Sequence, residues 1–219
     1  MRLLSVAVAI LGFTSFLIVP APSQICAGSA SFAAGPLQVA GGAGFTSHAH
    51  GFGVTLTLGG SATFFGVGLG TTHFDAYKSS SFDVVAGGGY ELPLDQRGVV
   101  QLCPVVAVAH TAGPNNISGG VDYSETDVAA SLRLGGVATE SEHVRVFPTV
   151  GLGFEYAAAK LTSTLGGSTT DSHGFGVLSL GLGLVFNKNL TVQPRAAVPI
   201  GLDNSSATFG LTLAVNFGH

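Results

Sequence analysis

Several histidines fall near the loop ends of the segments predicted below as strands, and imidazole is a common ligand for zinc and other transition metals. They are His48, His50, His73, His110 and His173. Residues two apart on a strand point to the same face, so His48 and His50 could reach one ion. Histidines also occur in exposed loops where they bind no ligand, and this is the interpretation that we favour. We therefore predict no bound metal or cofactor. His48 and His50 are kept as weak candidates for a metal site.

A second group consists of charged residues that alternate with apolar ones and so share the opposite face. The predicted inward-facing charges are Arg133, Arg145, Arg195, Asp83, Glu91, Asp127 and Glu155. Charges inside a narrow barrel need partners, because an isolated buried ion is costly. Arginines and carboxylates could therefore bridge and close the lumen. Glycine on the same face leaves room, so a small diffusion pore is the alternative.

Enzyme and nucleic-acid classes find no support in the sequence. It has no nucleophile elbow, P-loop, paired zinc ligands or EF-hand loop. Loop-side aspartates and histidines could be imagined as a protease site, but we expect no enzymatic activity. The net charge is −4, and no basic stripe appears. We therefore expect no nucleic-acid partner.

The elements that would hold these residues are strands, because the chain alternates with period two from residue 37 onward. Charged residues make up 9% of the chain, well below a typical globular domain, and there are 33 glycines. Ten segments carry mainly apolar residues at every second position, and they cover residues 37–45, 52–58, 65–71, 82–92, 100–108, 128–134, 144–156, 178–186, 190–200 and 209–217. This pattern predicts an all-β, transmembrane, antiparallel up-and-down barrel of ten strands, with eight as the alternative.

The connections alternate in length. Residues 59–61, 93–98, 137–143 and 187–189 are short and turn-like, whereas residues 109–122 and 157–173 are long, polar and rich in Gly, Ser and Thr. Short turns at one end and longer loops at the other are typical of outer-membrane barrels. Ten strands place both ends of the barrel chain on the short-turn, periplasmic side.

The first residues have the pattern of an export signal. A positive start at Arg2 precedes an apolar stretch, and Ala21 and Ser23 have the spacing of a cleavage site. The predicted divisions are a signal peptide at 1–23, a periplasmic segment at 24–36 and the barrel at 37–217. Export to an oxidising compartment allows a disulfide between Cys26 and Cys103; two free, buried thiols are the alternative.

The last predicted strand, residues 209–217, alternates apolar residues and ends in Phe217. It resembles the terminal insertion signal of outer-membrane barrels, although Gly218 and His219 follow the aromatic residue. The Gly-rich strands resemble small barrel-domain proteins of the OmpA/OmpX-like type from Gram-negative bacteria. This resemblance implies an outer-membrane location and contact with the barrel-insertion machinery and membrane lipid. We expect a monomer with a structural or surface-interaction role and a largely closed lumen, the alternative being a porin-like channel.

Overall fold

The computed structural model describes residues 37–60, 62–76, 78–96, 99–115, 120–163, 165–187, 189–202 and 205–217. The predicted signal peptide, residues 1–23, and the predicted N-terminal segment, residues 24–36, lie outside this part of the chain. No helix among the described residues is long and apolar enough to cross a membrane.

Twelve strands follow one another along the chain, ten of them long. They are β1 (Leu37–Phe45), β2 (Ala49–Gly59), β3 (Thr63–Phe74), β4 (Ser79–Tyr90), β5 (Leu92–Pro93), β6 (Val100–Ala112), β7 (Val121–Gly136), β8 (Thr139–Glu140), β9 (Val144–Ser163), β10 (Ser168–Phe186), β11 (Leu190–Ile200) and β12 (Thr208–Phe217). The two-residue strands β5 and β8 only extend the short connections between the long strands.

The ten long strands form one closed antiparallel wall. Each pairs with its neighbours in chain order, and β1 pairs with β12 from Leu37 opposite Phe217 to Phe45 opposite Phe209. Closure removes open edges along the length that all ten long strands share. Above Gly176, β10 pairs only with β9. The structure confirms the prediction of ten strands rather than eight.

Alternation separates the two faces of this wall. On β3, Phe65, Val67 and Leu69 are exposed on the outside, while Gly68 faces the interior. A Cβ atom at Gly68 would lie 2.8 Å from Cγ2 of Thr55 and 2.9 Å from Cγ1 of Val85. Glycine is required there because side chains of both neighbouring strands fill the space above it.

The prediction of a long loop at residues 157–173 is wrong. β9 continues to Ser163 and β10 begins at Ser168, and the two strands pair continuously as far as Thr162 opposite Ser168. The upper part of this hairpin lacks a strongly apolar face, so alternation gave no signal. Its serines and threonines still suit extended backbone.

Candidate functional site

An apolar plug bridges the interior at the end of the barrel where β1 is connected to β2 and β9 to β10, which we call the loop side. We use this name for Ala49, Phe74, Tyr123, Ala159 and Leu161, which pack together. Phe74 is fully buried and Tyr123 is 3% exposed. β2 and β9, which carry Ala49 and Ala159, are five places apart in the ten-strand wall. The contacts therefore cross the lumen rather than follow the wall.

A carboxylate layer lies next to the plug. It comprises Asp83 on β4, Glu125 and Asp127 on β7, and Glu155 on β9, and all four residues are buried. Asp83 accepts hydrogen bonds from three hydroxyl groups: Thr111 Oγ1 at 2.8 Å, Thr72 Oγ1 at 3.1 Å and Ser81 Oγ at 3.4 Å. These donors stand on β3, β4 and β6, so Asp83 ties three adjacent strands together on the inner face.

Glu125 joins the carboxylate layer to the plug, and the sequence did not identify it as an inward charge. Its Oε2 accepts a hydrogen bond from the Tyr123 hydroxyl. Among the described residues, Oε1 of Glu125 and Oε1 of Glu155 have no hydrogen-bond partner. The predicted loop ends at Asp122 and the predicted sixth segment begins at Val128, so Glu125 belongs to neither. Residues two apart on a strand point to the same face. Counting back from Asp127 by two and by four residues therefore identifies Glu125 and Tyr123 as inward-facing.

The arginines lie further from the loop side than the carboxylates. Arg133 stands opposite Gly151, whose Cβ would lie 3.1 Å from Arg133 Cγ, and Arg195 lies over Gly210, whose Cβ would be 3.3 Å from Arg195 Nε. Arg133 is six residues from Asp127 along β7, which is roughly 20 Å of strand. At this distance the Arg133 guanidinium cannot contact the Asp127 carboxylate directly. The negative and positive side chains of the lumen therefore lie at different levels along the barrel.

Two of the predicted lumen charges lie near the opposite end of the barrel, which we call the turn side. Nη2 of Arg145 lies 2.6 Å from Oε1 of Glu140, and both side chains are about half exposed, at 42% and 54%. This places Arg145 at the rim. Glu91 follows the end of β4 and is buried. Burial raises the pKa of Glu91 to about 7.

The turn-side interior is filled by apolar and amide groups. Gln38 Nε2 donates to Asn216 Oδ1 at 2.7 Å across the closing pair of strands. Cys103 is buried and packs with Phe64 and Val105. Cys26 lies outside the described residues, so the Cys26–Cys103 disulfide stays a prediction.

Between the two ends lies a cavity of about 30 Å³. Its lining includes Val105, Ser131, Arg133, Val177 and Ser179. Such a volume holds on the order of one water molecule. The space among these side chains is therefore small.

The outer face of the wall is apolar, in contrast to the inner face with its buried polar and charged side chains. Large apolar side chains are exposed on every long strand, for example Phe52 at 68%, Val106 at 63% and Leu152 at 61%. Within the described strands, outward positions carry charged residues only at Asp122 and Lys160, on the parts of β7 and β9 nearest the loop side.

Aromatic residues border this apolar surface at both ends. Phe45, Phe52, Phe82, Phe154, Tyr156 and Phe209 lie toward the loop side, and Phe65, Tyr90 and Phe217 toward the turn side. Phe45 and Phe209 stack across the closing pair with ring centroids 6.1 Å apart.

The histidines are divided between two environments. His50 on β2 stands directly opposite His73 on β3, and their ring centroids are 5.2 Å apart. His48 precedes β2, and His110 Nδ1 lies 3.0 Å from Thr126 Oγ1. His173 stacks on Phe175. The structure thus places His73, not His48, beside His50. Within the described ranges, no group of three or more His, Cys, Asp or Glu residues is arranged to hold a metal ion.

No family model matches the sequence, and no curated protein matches it. Solved structures that match include the translocator domain of the autotransporter NalP from Neisseria meningitidis, with 11% identity, a TM-score of 0.48, and coverage of 99% of this chain and 98% of that one. The N-terminal β-barrel domain of Pseudomonas aeruginosa OprF matches with 13% identity, a TM-score of 0.40, and coverage of 83% and 96%.

A bacterial polysaccharide outer membrane secretin matches with 10% identity and a TM-score of 0.42 over 78% of this chain. The chain spans 57% of the length of that secretin. At these identities and TM-scores, the matches give no information on activity.

Proposed function

We propose that this chain is an integral outer-membrane β-barrel with a largely closed lumen and a structural or surface-interaction role, and not an enzyme. The observation that carries the proposal is the inverted distribution of polarity: apolar side chains cover the outside, and carboxylates, hydroxyls and amides are buried inside. A soluble barrel would bury its apolar face and expose the polar one. A closed wall with an apolar exterior is what the lipid interior requires of a β protein.

The dimensions of the wall support a membrane location. Leu37 and Phe45 are eight residues apart on β1, which is about 27 Å along a strand. A strand tilt of about 40° reduces this to roughly 20 Å along the barrel axis, close to the apolar band of about 25 Å in membrane barrels. The aromatic residues at both ends occupy the levels where membrane interfaces favour them.

Filling of the interior supports the closed lumen. The apolar plug crosses the loop-side mouth, the carboxylate layer lies next to it, and Phe64, Cys103 and Val105 pack near the turn side. Hydrated ions would have to displace these groups in order to pass.

The β9–β10 hairpin supports a surface role. It extends beyond the apolar exterior through residues that are mostly exposed, and Leu165 at its tip is 93% exposed. The exposed residues at the end of this hairpin are accessible to a partner outside the barrel.

Ion conductance in planar lipid bilayers separates the closed barrel from a diffusion pore. We expect the refolded protein to show no steady openings. A Phe74→Gly/Tyr123→Gly variant, which empties much of the plug, should conduct more often than the wild type, and Leu165→Gly is the matched control outside the lumen. Reproducible, steady openings of the wild type at the level of the double variant would refute the closed lumen and favour the pore.

A further inference from the structure

The pair His50 and His73 is built like a metal-binding pair. The two residues are directly opposite on neighbouring antiparallel strands, where Cβ atoms lie about 4.5–5.5 Å apart. Two nitrogen ligands on one tetrahedral zinc ion, at about 2.0–2.1 Å each, lie roughly 3.3 Å from one another. Rings with centroids 5.2 Å apart and an interplanar angle of 45° reach this separation by small rotations about χ2.

The surroundings orient both rings for this purpose. Asp75 Oδ1 lies 3.6 Å from His50 Nδ1, and Ser80 Oγ lies 3.1 Å from His73 Nδ1. With both Nδ1 atoms next to these oxygen atoms, Nε2 is the ring atom of each histidine that is left for a metal ion. This arrangement of carboxylate or oxygen, histidine and metal is the usual one around ligand histidines.

The two histidines are also accessible to a metal ion from solvent. His50 is the second residue of β2 and His73 the penultimate residue of β3, so both lie at the loop-side rim. The His50 side chain is 63% exposed and the Asp75 side chain 58%. A metal ion could therefore arrive from water and keep water molecules at the coordination positions that the two imidazoles leave open.

We propose that His50 and His73 form a two-histidine site for a divalent transition metal ion such as Zn²⁺ or Cu²⁺ on the outer rim of the barrel, with Asp75 orienting His50. Imidazole nitrogen is a ligand that these ions accept readily. The site supplies two protein ligands, and water molecules complete the coordination of the ion.

The test is titration of the refolded full-length barrel, without an affinity tag, with Zn²⁺ in calorimetry and with Cu²⁺ in electron paramagnetic resonance. We expect one ion per chain, and for Cu²⁺ a signal with nitrogen hyperfine structure. His50→Ala and His73→Ala should each weaken binding at least tenfold. Asp75→Asn should weaken it by about 10-fold or more, because it removes the orienting carboxylate.

His110→Ala is the matched control, since His110 also faces outward at the loop side but has Thr126 rather than a histidine beside it. It should leave binding unchanged, as should His48→Ala. Heat-modifiable gel mobility checks that each variant is folded. Absence of binding by the wild type, or equal binding by His73→Ala and the wild type, would overturn the proposal. Loss of binding in His48→Ala with His73→Ala unaffected would overturn it in favour of the His48–His50 pair.

Discussion

Arginine substitutions at two positions of one strand measure where the membrane lies. Leu152 and Thr162 have the same parity on β9 and are both exposed on the outer face. Leu152 is midway along the apolar exterior, whereas Thr162 lies near the tip of the hairpin. The ten residues between them correspond to about 33 Å of strand, or roughly 25 Å along the axis at a tilt of about 40°. The two positions therefore differ in depth by about the full thickness of an apolar band.

The expected magnitudes follow from this difference. An arginine on the lipid face costs about 2–4 kcal/mol at the bilayer midplane and about 0–1 kcal/mol near the interface. Leu152→Arg should therefore reduce the folding equilibrium constant about 30- to 1000-fold, whereas Thr162→Arg should change it less than about sixfold. In a water-soluble barrel the two variants would behave alike, because Leu152 is already 61% exposed.

Reversible unfolding in phospholipid vesicles is the suitable assay. The chain contains no tryptophan, so the folded fraction is followed by far-ultraviolet circular dichroism and by gel mobility without heating. Equal destabilisation by Leu152→Arg and Thr162→Arg would refute the assignment of the apolar exterior to lipid. A small loss for Leu152→Arg alone would refute it as well.

Four further predictions follow from the structure. Cell fractionation should recover the chain in the outer membrane with heat-modifiable mobility, and recovery as a soluble periplasmic protein would contradict the membrane proposal. Gly68→Ala should destabilise the barrel by about 1–3 kcal/mol because its Cβ would meet two packed side chains, whereas Gly41→Ala, with its nearest atom at 3.9 Å, should cost little; similar unfolding midpoints for the two would argue against a packed lumen. Burial raises the pKa of Glu91, on the turn-side connection, to about 7, so stability should decrease as pH rises from about 4.5 to about 7; Glu91→Gln should remove this part of the dependence, and an unchanged pH profile of unfolding would refute it. Thiol labelling of unreduced, denatured protein should find no free thiol if Cys26 and Cys103 are joined, and two labelled thiols per chain would exclude the disulfide.

Parity along single strands was enough to predict the faces of the wall. Asp83 and Glu155 alternate with apolar residues, so their inward position followed from period two alone. The same rule did not identify Glu125 and Tyr123 as inward-facing. The outward residues next to them, such as Ser124, are polar, so apolar and polar residues do not alternate in this part of the strand. The alternation of apolar and polar residues therefore identified the strands only where their outward side chains are apolar. Beyond the apolar exterior, the sequence gives no such pattern.

Pairing across strands is the information that spacing along the chain lacks. His48 and His50 have strand spacing, but β2 begins at Ala49, so only His50 lies in the ladder. Its partner is set by the register of the β2–β3 hairpin, in which Gly59 stands opposite Phe64 and His50 opposite His73. A shift of one residue in that turn would separate the two histidines and reverse every side chain of the strand.

The closing seam shows how the barrel keeps its polar face inside. A one-residue slip between β1 and β12 would bring the glycines and amides of one strand to the apolar exterior. Two pairs oppose this slip from opposite sides of the wall: the Gln38–Asn216 hydrogen bond at 2.7 Å on the inside and the stacked Phe45 and Phe209 rings on the outside. Because an amide that loses its partner in apolar surroundings costs several kcal/mol, the inner pair penalises the slip. The aromatic rings would not fit a lumen already filled by side chains, so the outer pair penalises it too. The hydrogen-bonded wall sets the shape of the barrel, and these two pairs determine which face of β1 and β12 points outward.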